Sequence, residues 1–226
     1  MSRGLRYSFN PPQSTSGLQG AYHSTTFDID ADPAAVSTNG QFLMVGVGVR
    51  IACVQPIPTT CGDDIGTVLI YKINSDQTVS YYQTISSSTN LNFANKKFGS
   101  NIVMDGDTAA IPFVDASGNW VQIWRYNPST STARRSDFSG GSRVDLDRDT
   151  LITSTGLFGT GVQIYQRNGS TWSDKASFAL TPVGVTIDGN TASVVAAYGI
   201  HILQQNATGQ WIDTQTISSP VESCPF

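Results

Sequence analysis

One pattern of short apolar segments recurs four times in this 226-residue chain. Its first block reads Val36-Ser-Thr-Asn39-Gly40, Ile102-Val-Met-Asp105-Gly106, Val144-Asp-Leu-Asp147-Arg148 and Val185-Thr-Ile-Asp188-Gly189, each followed by a second apolar stretch. Asn-Gly and Asp-Gly between apolar runs predict tight hairpins, because the turn needs positive φ. Asp147-Arg148 departs from this rule, so an altered turn is expected there. The second block reads Val68-Leu-Ile-Tyr71, Val121-Gln-Ile-Trp124, Val162-Gln-Ile-Tyr165 and Ile200-His-Ile-Leu203. Turn residues follow it, and then a last strand: Val79–Ile85, a weaker Ala133–Phe138, Trp172–Phe178 and Trp211–Ile217.

The last two repeat intervals are each about forty residues, and a four-stranded unit of that length is the signature of a propeller blade. The first interval is longer by about twenty residues, which places an insertion at 48–66, between the second and third strands of the first unit. Phe42–Val47 and Ala192–Ala197 are largely apolar rather than alternating, as strands covered on both faces should be. No amphipathic helix is evident. The expected fold is all-β: a propeller of four blades, each of four antiparallel strands, either complete or part of a larger ring. Residues 1–25 read as an N-terminal arm, 26–220 as the propeller and 221–226 as a tail. The blades fall at about 26–88, 89–138, 139–180 and 181–219.

Phe98-Gly-Ser-Asn-Ile-Val-Met-Asp-Gly-Asp-Thr108, followed by Val121-Gln-Ile-Trp124, resembles an FG-GAP repeat, the blade unit of integrin-α-like propellers. The strands bearing Trp172 and Trp211 are similar to the Trp-bearing outer strand of that repeat. The resemblance covers roughly residues 30–219. The Phe-Gly pair occurs once; Gly140-Gly141 and Thr181-Pro182 stand at its place later. Integrin-type repeats carry a calcium loop between their first two strands. Here that connection is a tight turn, so calcium binding does not carry over.

Composition narrows the function. Thirteen basic against 17 acidic residues give a net charge of −4, which disfavours binding to a phosphate backbone. Charged residues make up only 13%, about half the usual share, and no apolar run approaches a membrane span. The N-terminus has no signal-peptide pattern. Low charge and abundant Ser and Thr lean towards an extracellular or surface location, with a cytoplasmic one as the alternative. Cys53 and Cys61 flank a Pro-rich stretch and are spaced either for a small disulfide ring or as two thiols on a long loop. Cys224 is left over. Asn168-Gly-Ser170 and Asn206-Ala-Thr208 match glycosylation sequons but also read as hairpin turns.

No nucleophile elbow, zinc motif or phosphate loop is present. His201 stands where other units have Leu69, Gln122 and Gln163, which argues against a catalytic role. Asp28, Asp30 and Asp32 are the weak candidates for a calcium site; no other cofactor is expected. Asn39, Asp105, Asp147 and Asp188 recur once per blade and read as turn formers. Trp124 shares its place with Tyr71, Tyr165 and Leu203 and reads as core. Trp120 has no repeat equivalent and reads as a loop aromatic.

The expectation is a non-enzymatic binding or adhesion module, lectin-like, taking a glycan or a protein through its loops. The alternatives are a structural subunit of an extracellular or viral assembly, or a propeller enzyme with a site at the ring centre. Long insertions are usually functional or disordered. The expected contact surface is therefore the insertion, with Cys53, Pro56, Pro58, Cys61, Asp63 and Asp64, together with Trp120. Its partner would be a protein, a glycan or a second copy of the chain.

Overall fold

The computed structural model describes residues 33–49, 65–86, 98–115, 118–126, 133–155 and 160–218. They form sixteen strands and, among the described residues, no helix. The first blade holds β1 (Pro33–Thr38), β2 (Phe42–Val49), β3 (Ile65–Ile73) and β4 (Val79–Ser86). The second holds β5 (Val103–Asp105), β6 (Thr108–Asp115), β7 (Gly118–Tyr126) and β8 (Ala133–Ser139). The third holds β9 (Val144–Asp147), β10 (Thr150–Thr155), β11 (Gly161–Asn168) and β12 (Thr171–Phe178). The fourth holds β13 (Pro182–Asp188), β14 (Thr191–Ala196), β15 (Gly199–Gln205) and β16 (Trp211–Ser218). Each sheet is antiparallel with its strands in sequence order. The expected blades are therefore present. β5 packs beside β1, β9 beside β5 and β6, and β13 beside β9 and β10; among the described residues β13 has no comparable packing on β1.

Side-chain alternation explains the core. In the second and third blades one face meets the preceding blade and the other meets the next. Phe42, Met44, Val68, Ile70 and Ile85 of the first blade pack on Ala109, Ile111 and Phe113 of the second. Ala110, Val121 and Ile123 on the other face of the second blade pack on Leu146, Leu151 and Tyr165 of the third. Ile152, Val162 and Ile164 then pack on Ile187, Ala192, Val194, Leu203 and Trp211 of the fourth. Trp211 is buried in its interface, and the half-buried Trp172 and Trp124 pack against theirs. At roughly 1.5–3 kcal/mol for each large side chain removed from water, these three seams hold the blades together.

The Phe-Gly pair has a packing role. Phe98 is buried, and Gly99 takes φ +79° so that the chain can cross closely over the first blade. A Cβ on Gly46 would stand 1.7 Å from the Gly99 carbonyl oxygen, and one on Gly66 would stand 1.6 Å from that of Phe98. Backbone lies on backbone here, so only glycine fits.

The Asp147-Arg148 turn is not altered. Arg148 takes φ +50°, beside +53° at Gly106 and +56° at Gly189. A non-glycine residue in this region costs about 1 kcal/mol. Its amide donates to the Asp105 carboxylate of the preceding blade, which offsets part of that cost.

Candidate functional site

The β1–β2 type turns all lie at one end of the blades, and each reaches its neighbour. Asn39 donates through Nδ2 to the Gly106 carbonyl; Asp105 accepts from the Arg148 amide; Asp147 accepts from the Gly189 amide at 2.6 Å. The recurring Asx residues thus staple each blade to the next as well as shaping their own turns. Nothing in the sequence pattern distinguishes these two roles.

Two positions after the Asx of each turn, Asp107 and Asp149 occupy equivalent places in the second and third blades, paired with Arg125 and Arg167 near the ends of β7 and β11. Arg125 Nε lies 2.6 Å from Asp107 Oδ2, and Arg167 Nε lies 2.6 Å from Asp149 Oδ1. Arg167 also reaches back across the seam to Asp107 Oδ1 at 3.3 Å and Thr108 Oγ1 at 3.0 Å. Its guanidinium lies 5.9 Å from the Trp172 ring centre, within cation–π range. Burial pushes the Asp107 carboxyl upward, but hydrogen bonds from Arg125, Thr108 and Arg167 outweigh it and hold the carboxyl below the usual carboxylate range. Burial likewise opposes the charge on Arg167, and Asp149 and Asp107 more than restore it.

Asp107 and Thr108 also border a narrow cleft of about 30 Å³ between the first two blades. Phe42, Tyr82, Trp124 and Tyr126 line it, with Asn39 and Gln83 at its polar margin. The Phe42 and Tyr126 ring centres are 4.4 Å apart, and Tyr82 stands edge-on to both at 5.5 and 5.9 Å. Desolvation, then the Tyr82 phenol, raise the Tyr126 pKa, so Tyr126 is a hydrogen-bond donor at neutral pH. On the other side of Thr108, Arg125, Arg167, Gly169, Ser170 and Trp172 line a smaller hollow of about 20 Å³. An aromatic floor beside a fixed carboxylate suits a polyhydroxylated ligand with apolar C–H faces, and the two guanidiniums line the separate hollow.

His201 also has a partner that its sequence position does not suggest. Its Nδ1 lies 2.8 Å from Asp213 Oδ2 and 3.3 Å from Thr216 Oγ1. A bulge between Ile202 and Leu203 shifts the β15–β16 register and sets Asp213 opposite Leu203. The pair sits on the outer strands of the fourth blade, apart from the cleft.

Of the residues expected to make contacts, Trp120 is described. It lies on β7 rather than in a loop, half buried against the core between the first two blades. Cys53, Pro56, Pro58, Cys61, Asp63 and Asp64 lie outside the described residues, as do Asp28, Asp30, Asp32 and Cys224. Among the described residues no cluster of His, Cys, Asp or Glu is placed to hold a metal ion, and no helix is long and apolar enough to cross a membrane. Asn168 and Asn206 both stand at turns: Thr171 Oγ1 donates to the Asn168 carbonyl, and Asn206 Oδ1 accepts from the amides of Thr208 and Gln210.

No protein-family model matches the sequence, and no curated protein matches it. The fold is similar to a solved structure from Bacteroides fragilis titled a "putative 6-phosphogluconolactonase", at 12% identity and a TM-score of 0.53. The match covers 88% of this chain and 61% of that one, so the chain spans less than two thirds of its length. This likeness corrects the expectation of a non-enzymatic binding or adhesion module: the solved propeller that the fold matches carries an enzyme's title. At this identity the likeness itself extends to the fold alone.

Proposed function

We propose that the chain hydrolyses a cyclic ester of a sugar in the cleft between its first two blades. The observation that carries this reading is the ionised Asp107, paired with Arg125 beside an aromatic floor, in a fold like that of the lactonase-titled propeller. Tyr82 and Tyr126 would take the C–H face of the sugar ring, and Asn39 and Gln83 its hydroxyls. Water adds its oxygen to the ester carbonyl carbon, the ring C–O bond breaks, and the ring oxygen gains a proton, giving the open hydroxy acid. Asp107 orients the attacking water by accepting its hydrogen bond. Held below the usual range, Asp107 orients better than it abstracts, so a modest rate over spontaneous hydrolysis is expected.

The test is acid release from glucono-δ-lactone and its 6-phosphate, followed at constant pH. Tyr82→Ala should raise KM by weakening the aromatic floor, and Asp107→Asn should lower kcat. Ring opening no faster than in buffer for both lactones would refute the proposal. So would undiminished turnover in both variants.

A further inference from the structure

The chain has two Asn-Gly pairs, Asn39-Gly40 and Asn168-Gly169, and both stand in tight turns. Such a pair can rearrange without a catalyst. The glycine amide nitrogen attacks the Asn side-chain carbonyl carbon, ammonia leaves, and water then opens the cyclic imide to an aspartyl or isoaspartyl group. Glycine favours the attack because no Cβ shields its nitrogen. In a folded chain the outcome depends on how firmly the two reacting groups are held. At Asn39-Gly40 both are held. Asn39 Oδ1 accepts from the amides of Gln41 and Phe42 at 2.9 and 2.8 Å, and its Nδ2 donates to the Gly106 carbonyl of the next blade. The Gly40 amide, which would be the nucleophile, donates to Thr38 Oγ1 at 3.1 Å. At Asn168-Gly169 neither group is held: among the described residues, the Asn168 side chain and the Gly169 amide make no hydrogen bond. Asn168, Gly169 and Ser170 are exposed, and a Cβ on Gly169 would meet nothing within 4 Å, so the turn has room to move. The bond that is made there favours the reaction. Thr171 Oγ1 donates to the Asn168 carbonyl at 3.0 Å. That carbonyl is conjugated with the Gly169 nitrogen, so the hydroxyl stabilises the negative charge that the amide gains as its proton leaves.

We propose that Asn168 is a site of spontaneous deamidation in the folded protein, and that the first-blade turn protects Asn39 from the same reaction. Water is the co-reactant and ammonia the leaving group, so no enzyme or oxidant is needed. The place of the new charge gives the change its interest. Gly169 and Ser170 line the small hollow with Arg125, Arg167 and Trp172, and Arg125 Nη1 lies 3.4 Å from the Gly169 carbonyl oxygen. A carboxylate at position 168 therefore offers Arg125 a second anion besides Asp107, whose Oδ2 lies 2.6 Å from Arg125 Nε. The isoaspartyl form also adds a carbon to the main chain at a turn of only two residues, and so displaces the Gly169 carbonyl that Arg125 reaches.

The test is incubation of the folded 226-residue chain in mildly alkaline buffer, with peptide mapping by mass spectrometry to follow amide-to-acid conversion at each site. Conversion at Asn168 should be at least about tenfold faster than at Asn39, where side-chain hydrogen bonds must break before attack. In denaturing urea the two rates should converge, because both pairs are then equally free. Thr171→Val keeps a branched strand residue and removes the donor to the Asn168 carbonyl, so conversion at Asn168 in the folded variant should slow several-fold. An intact Asn168 in the folded chain, after both pairs of the urea-treated chain have converted, would overturn the proposal. So would equal rates at the two sites in the folded chain. A difference that persists in urea would assign the contrast to neighbouring residues and overturn the protective turn. A rate in Thr171→Val equal to that of the wild type would overturn the part given to the hydroxyl.

Discussion

Gly66→Ala probes the seam between the first two blades with a single methyl group. A Cβ at Gly66 would stand 1.6 Å from the Phe98 carbonyl oxygen and 2.5 Å from its carbonyl carbon. Ordinary contact needs more than 3 Å, so the crossover must retreat by roughly 1.5 Å. The clash is with backbone, and no side-chain rotamer relieves it. Retreat would pull Phe98 out of a cluster shared with Val68, Ile85 and Ile111. Overpacking of this kind costs typically 1–3 kcal/mol, and partial loss of the Phe98 contacts takes the expected total to about 3 kcal/mol or more. For a domain of this size each kcal/mol lowers Tm by about 2–4 °C, so a fall of about 6–12 °C is expected by calorimetry. Gly184→Ala is the matched control. A Cβ there meets Val195 no closer than 3.9 Å, an ordinary contact, so Tm should change by less than about 2 °C. Equal melting temperatures for Gly66→Ala and the wild type would refute the close backbone approach and the reason given for the Phe-Gly pair.

Arg148→Gly should raise stability by about 1 kcal/mol, seen as a Tm increase of about 2–4 °C, because it removes left-handed strain and leaves the amide bond to Asp105 in place. Asp147→Ala removes the acceptor of the Gly189 amide and should cost about 1 kcal/mol in urea unfolding without changing the slope. The Asp107 carboxyl is held down in the folded state, so its contribution is fully present above the unfolded carboxylate value near 4 and is lost as pH falls through the folded value. Wild type should therefore lose more stability between pH 5 and about 2 than Asp107→Asn does, as measured by urea midpoints; parallel pH profiles would refute the assignment. Leu203→Ala opens a cavity between the third and fourth blades and should cost about 2–5 kcal/mol.

The sequence determined the blades because their information is local. β-Branched segments of strand length, Asx-Gly turns and a spacing of about forty residues specify sheets and connections without knowledge of any other part of the chain. Even the short β5 and the weakly patterned β8 were legible from their place in the repeat. The Arg148 turn was misread because local propensity disfavours positive φ there, while the bond from its amide to Asp105 comes from another blade. The candidate site was less legible for the same reason. Asp107 and Arg125 are 18 positions apart and meet across β6 and β7, and Arg167 joins them over a separation of 60. The aromatic cleft draws Tyr82 from one blade and Tyr126 from the next. His201 meets Asp213 through a bulge that strand periodicity does not encode. What covers each blade was decided by tertiary structure alone. Val68, Val121, Val162 and Ile200 carry one pattern in the sequence, yet three are sealed and the fourth meets solvent, because burial depends on the neighbouring sheet and not on the strand itself.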